Sequence, residues 1–259
     1  MREACKANAA APSQGVVLLH GIGRSPWWMR KLERALQRAG FATLNVGYPS
    51  RKRPLELLAA DIHCAVARFA EEIDGPVHLV GHSMGGLLAR VYIAKFRPQR
   101  LGRVVMLGTP NGGSEVADLL HQLALYRAYY GPAGQQLTTR RDSTLTSLPA
   151  LDYPVGMIAG NRSLHPFSSL IMLPKPNDGT VSVASTGLDG MADHVTVEAY
   201  HAELPRHPLA IGQTVAFLMA GRFKAPDELD VSHQVVMRRW PRHQPCSNRR
   251  FATFNRRAC

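Results

Sequence analysis

The sequence predicts an α/β protein: a mostly parallel six-stranded sheet with helices on both faces. Three observations carry this. The apolar runs that read as strands are continuous rather than alternating, as expected for strands covered on both faces. They alternate with stretches of helical period, the arrangement that joins parallel strands. His20, Ser83, Thr109 and His201 each follow the carboxyl end of an expected strand, so they should meet along one edge of the sheet.

Residues 1–14 read as a loose arm. Val16-Val17-Leu18-Leu19 is a short buried strand leading into His20-Gly21-Ile22-Gly23. Trp28, Leu32, Ala35, Leu36 and Ala39 then share one helical face, and Gly40 stands where a helix C-terminal glycine belongs. Phe41–Val46 is the second strand. In the next helix Leu58, Ile62, Ala65, Val66 and Phe69 face one way, and Cys64 is expected in the core. Pro76–Val80 is the third strand and Gly86–Ala94 the helix after it. Arg103–Leu107, Pro154–Ala159 and Val195–Ala199 complete the six, and residues 205–219 form the last helix.

Between the third strand and its helix lies Gly81-His82-Ser83-Met84-Gly85. This is the Gly-x-Ser-x-Gly pattern in the strand–turn–helix context it requires. The turn is so tight that only small residues fit two positions either side of the serine, whose hydroxyl stands exposed at the helix head.

Composition narrows the class. A 45% hydrophobic and 19% charged chain of 259 residues is ordinary for a globular protein. No apolar run approaches a membrane span. No signal peptide is visible at the N-terminus, so a cytoplasmic location is expected. The four cysteines (Cys5, Cys64, Cys246, Cys259) lack metal-ligand spacing and read as free thiols. Seven of the +12 charges are arginines within residues 231–259, which hold no acid, leaving +5 for residues 1–230. The high pI therefore says little about the substrate of the folded body.

With His20-Gly21-Ile22-Gly23, Gly81–Gly86, Gly108-Thr109-Pro110, Asn177-Asp178-Gly179-Thr180-Val181 and His201 in this order, the chain resembles the α/β-hydrolase superfamily, and within it the small serine lipase/esterase group. The resemblance spans about residues 15–221. It implies Ser83 as nucleophile. A serine hydroxyl needs a base to take its proton, and the chain order in this fold is Ser, then Asp or Glu, then His. His201 fits the base best, ahead of His207 near the last helix and His194 before the last strand. Asp178 is the acid favoured over Asp152, Asp189 and Asp193 by position and resemblance. Two backbone N–H groups should hold the oxyanion: Met84, after the nucleophile, and Ile22, by the family match. His20 reads as a structural histidine bonded to backbone.

The expected organisation is an arm (1–14), a catalytic domain (15–224) and a basic, disordered tail (225–259). Residues 114–150 form a candidate lid, in which Leu119, Leu123 and Tyr126 share a helical face suited to an acyl chain; the same face would serve equally for packing on the sheet. The expected activity is cleavage of carboxylic esters, of lipids or small alcohols, through an acyl-serine. Acyl transfer, thioester hydrolysis and a catalytically inactive binding protein are the alternatives. No cofactor or metal is implied. The expected partner is a small-molecule or lipid ester, with no nucleic acid and at most weak membrane-surface contact.

Overall fold

The computed structural model describes residues 13–113, 124–136, 148–163, 174–225, 228 and 237–239. Its sheet has the order β2-β1-β3-β4-β5-β6-β7. The strands are β1 (Gly15–Leu19), β2 (Ala42–Val46), β3 (Val77–His82), β4 (Leu101–Leu107), β5 (Val155–Gly160), β6 (Asp193–Val197) and β7 (Met237–Arg239). The first six are parallel, at the expected places.

Alternation along each strand sorts side chains to two cores. Val17, Leu19, Leu79, Val104 and Met106 face α2 (Leu55–Glu71) and α3 (Met84–Phe96). Val16, Leu18, Val80, Val105 and Leu107 face α1 (Arg30–Arg38) and the last helix. These strand side chains are fully buried. Each contributes about 1.5–3 kcal/mol relative to exposure, which is why both faces must be covered. Gly40 (φ 92°) ends α1: the Phe41 N–H reaches the Leu36 carbonyl and the Gly40 N–H that of Gln37. This double closure needs a left-handed residue at that point.

Three details depart from the sequence reading. Cys64 is exposed, and so is Ala65, because the buried stripe of α2 runs through Leu58, Ala59, Ile62 and Val66. His194 lies inside β6 rather than before it; it is buried and bonded to the Thr186 hydroxyl at 2.9 Å. The sheet gains a seventh strand: β7 lies in the segment expected to be a tail and pairs antiparallel with β6, Val195 opposite Arg239 and Val197 opposite Met237. A three-residue strand rich in arginine carries no apolar period by which it could be read from the sequence.

Helix α4 (Ala124–Gln135) is broken at Gly131 (φ 62°, ψ −163°), which precedes Pro132. A short α5 (Val183–Thr186) and the long α6 (Pro208–Ala220) complete the chain. Leu119 and Leu123 lie outside the described residues, as do residues 1–12 of the arm, Cys5, Cys246 and Cys259. Tyr126 falls on α4, with only its backbone described. Among the described residues no helix is long and apolar enough to cross a membrane.

Candidate active site

The turn from β3 into α3 forces Ser83 to φ 55°, ψ −125°. Among the described residues it is the one non-glycine residue with φ in the left-handed region. Such a backbone costs of order 1–3 kcal/mol and persists only where the surroundings impose it. Here they are backbone. A Cβ at Gly85 would sit 2.2 Å from the Leu19 carbonyl oxygen, and one at Gly81 would sit 2.4 Å from the carbonyl carbon of Gly85. The Ser83 N–H donates to Leu107 O (2.8 Å), and the Thr109 hydroxyl donates to Ser83 O (3.0 Å), so β4 holds the turn from one side.

Two further loops reach the same point. Ser83 Oγ lies 3.0 Å from His201 Nε2, and His201 Nδ1 lies 2.7 Å from Asp178 Oδ2. The other carboxylate oxygen of Asp178 accepts the backbone N–H groups of Thr180 (3.0 Å) and Val181 (2.7 Å). The His201 N–H donates to the Asp178 carbonyl at 3.1 Å, a second tie between the two loops. The Asp178 side chain is 1% exposed and that of His201 14%. An imidazole between a hydroxyl and a fully bonded carboxylate can take the hydroxyl proton without moving. Of the alternatives, Asp152 is exposed and paired with Arg97 (2.7 Å), and Asp193 is spent on the backbone N–H groups of His194 and Phe223. His207 precedes α6, and Asp189 lies in the loop before β6.

The expected oxyanion donors are the backbone N–H groups of Met84 and Ile22. Met84 is the first residue of α3, where a backbone N–H has no preceding carbonyl to bond. Ile22 follows Gly21, whose Cα faces the elbow: a Cβ there would lie 3.3 Å from Ser83 Cβ. The loop is pinned on its far side by Gly23 N–H to Ser50 Oγ (2.9 Å). His20 has the structural part expected of it. Its Nδ1 bonds the Gly21 carbonyl (2.9 Å), its ring stacks on Tyr48 at 4.0 Å, and Tyr48 donates its hydroxyl to the His20 carbonyl. Burial lowers the His20 pKa.

The sequence gives no hint of the roles of two further residues. His82, a variable position of the motif, bonds through Nε2 to the His201 carbonyl (3.0 Å) and ties the elbow to the loop of the base. Burial, then His201 nearby, holds its pKa well below the usual histidine range, so it stays neutral and donates. Gly108 (φ 56°) leaves room for the His201–Asp178 pair: a Cβ there would lie 3.1 Å from His201 Nδ1 and 3.3 Å from Asp178 Oδ2. Outside the Ser83–His201–Asp178 chain, Arg24 lies over the Trp28 ring, and Arg206 lies over Trp27 and Trp28. Among the described residues no group of His, Cys, Asp and Glu is placed to hold a metal ion.

A parallel sheet with a serine at a strained strand-to-helix turn, met by a histidine and an aspartate from later loops, defines a hydrolase scaffold of the α/β class. Residues 16–252 match the Alpha/beta hydrolase family, and the chain belongs to that family. Triacylglycerol lipases of Pseudarthrobacter phenanthrenivorans and Burkholderia plantarii are each 47% identical to it over 47 residues, 18% of this chain. That stretch covers 14% and 13% of those lipases, so the chain matches only a small part of their length. Among solved structures, the mature Bacillus licheniformis lipase BlEst2 superposes with a TM-score of 0.59 at 20% identity, covering 75% of this chain and 87% of that one. The metagenomic carboxyl esterase MGS0156 gives 0.58 at 19% identity, over 75% and 66%. At these identities the likeness is one of fold.

Proposed function

We propose that the protein is a carboxylic ester hydrolase working through an acyl-serine, with acyl esters of lipids or small alcohols as its substrate class. Ser83 attacks the ester carbonyl while His201 Nε2 takes its proton. Asp178 holds the Nδ1–H tautomer and stabilises the imidazolium. The Met84 and Ile22 amides receive the oxyanion. His201 then returns the proton to the leaving alcohol, and water, activated in the same way, releases the acid. The observation that carries this reading is the unbroken chain from Ser83 Oγ to His201 (3.0 Å) to Asp178 (2.7 Å) at the head of α3. The partial likeness to triacylglycerol lipases supports the choice of ester.

A fluorophosphonate probe tests it. The full chain should be labelled at Ser83, and Ser83→Ala should lose both labelling and p-nitrophenyl ester turnover, by about 10⁴-fold or more. Retention of more than a few per cent of turnover in the alanine variant would reject Ser83 as nucleophile. Adding an alcohol acceptor to the same assay separates hydrolysis from acyl transfer.

A further inference from the structure

Beside the Ser83 site lies a cluster that the proposed chemistry does not use. Trp27 and Trp28 belong to the 3-10 turn Pro26–Met29 that follows the β1 loop, their rings 5.6 Å apart and at 87° to one another. Arg206 ends the turn that starts at His201, and its guanidinium lies 4.3 Å from the Trp27 ring centre and 5.1 Å from that of Trp28. Arg24, on the loop that carries Ile22, lies 4.0 Å over Trp28. Neither arginine forms an ion pair with a described carboxylate. Trp27 is 53% exposed, a large indole surface left in water.

The charge around it is one-sided. Residues 20–29, 48–54 and 200–207 are loops at the carboxyl edge of the sheet. Together they hold Arg24, Arg51, Lys52, Arg53 and Arg206 against the single acid Glu203. Arg53 reaches Asp61 of α2. A guanidinium stacked on an indole spends its face and keeps its N–H donors, which lie in the plane, for a phosphate. An exposed indole is suited to a boundary where its body meets acyl chains and its N–H meets the wet headgroups. A nucleic acid duplex would use the cations and leave the Trp27 ring in water.

We propose that the Trp27–Arg206–Arg24 edge is a docking surface for an anionic phospholipid bilayer, and that it seats the mouth of the Ser83 site against the headgroup layer. The docking does not depend on the hydrolase reading, because it is a binding event of side chains outside the Ser83–His201–Asp178 chain.

The test is co-sedimentation of the full chain with vesicles of equal parts phosphatidylglycerol and phosphatidylcholine, with pure phosphatidylcholine vesicles beside them. The Ser83→Ala background prevents lipid cleavage. Binding should require the anionic lipid and weaken with salt. Arg206→Gln should weaken it about fivefold, the scale for one basic residue near such a surface. Trp27→Ala should weaken it with no change of charge. The arginines of residues 238–257 remain in every variant, so binding through them alone would leave both variants like the parent and overturn the proposal. Equal binding to pure phosphatidylcholine, or an equal loss of duplex DNA binding in both variants, would overturn it too. Trp27→Ala with Ser83 restored should keep its melting temperature and its turnover of a water-soluble ester, which separates docking from folding and from chemistry.

Discussion

Replacing Asp178 by Asn changes one atom and should disable the proposed base. In the structure one carboxylate oxygen accepts two backbone N–H groups, from Thr180 and Val181, and the other faces His201 Nδ1. An asparagine in this place has one oxygen and one NH₂. Turning the NH₂ toward two N–H donors would leave three donors facing each other in a site that is 1% exposed. Leaving buried donors unsatisfied costs about 1–3 kcal/mol each, so the amide oxygen must take the Thr180 and Val181 side. The NH₂ then points at His201 Nδ1, which can only accept, and the ring proton moves to Nε2. A protonated Nε2 cannot take the Ser83 proton at 3.0 Å. The expected loss in kcat is about 10²–10⁴-fold, or about 3–5 kcal/mol of transition-state stabilisation. The assay is p-nitrophenyl acetate turnover, with circular dichroism and melting to show an intact fold. A rate within a few fold of the wild type, in a folded protein, would refute the argument and move the acid elsewhere.

Gly108→Ala should lower kcat and cost about 1 kcal/mol or more of stability, because φ 56° is strained for alanine and the new methyl meets Leu204 (2.7 Å) and His201 (3.1 Å). An alanine variant with wild-type turnover would show that the base loop moves aside freely. His78 and His194 are each held down to a pKa of about 4, chiefly by burial, against 6.5 when unfolded. Below pH 6.5 the unfolded chain takes up protons that the folded one refuses. Stability should therefore be full above that pH and fall toward pH 4 by about 1.4 kcal/mol per pH unit for each histidine. Urea midpoints measured against pH should show this slope reduced in the His78→Gln, His194→Gln double variant, and an unchanged slope would refute it. If residues 119–126 wall an acyl site, Leu123→Ser should cost about 1–3 kcal/mol in kcat/KM on long-chain esters and little on acetates. Equal losses at every chain length would favour the packing reading of this segment. Deleting residues 226–259 removes β7 and none of the residues proposed for the chemistry, so short-ester turnover should persist, and an inactive truncated protein would place the tail within the working domain.

The layered core was legible because each parallel strand is apolar along its whole length, and the period of 3.6 in the helices between them was as plain. The Ser83 turn was legible because its steric demand selects glycine at fixed positions. His201 and Asp178 could be placed only by chain order and likeness, since many loops hold a histidine or an Asn-Asp-Gly turn. What the sequence hid depends on distant approach. His82 bonds a residue 119 positions away. Gly108 is small because two other loops cross it. Cys64 misled because its neighbours Ile62 and Val66 are buried, while its own position falls outside their stripe. β7 joins the sheet by antiparallel pairing with β6, and its sequence, Met237-Arg238-Arg239, carries no apolar period to mark it.

The close packing at the elbow limits how such a protein diversifies. At the elbow glycines the space is taken by main chain and by one threonine: Gly85 lies on the Leu19 carbonyl, Gly81 on Gly85, and a Cβ at Gly86 would lie 2.1 Å from the Thr109 hydroxyl. These three positions have no side chain to trim and no room for one to be added. A change in what the Ser83 site accepts would have to come from side chains beyond these glycines. Mutational libraries aimed at the elbow glycines will return mostly unfolded protein.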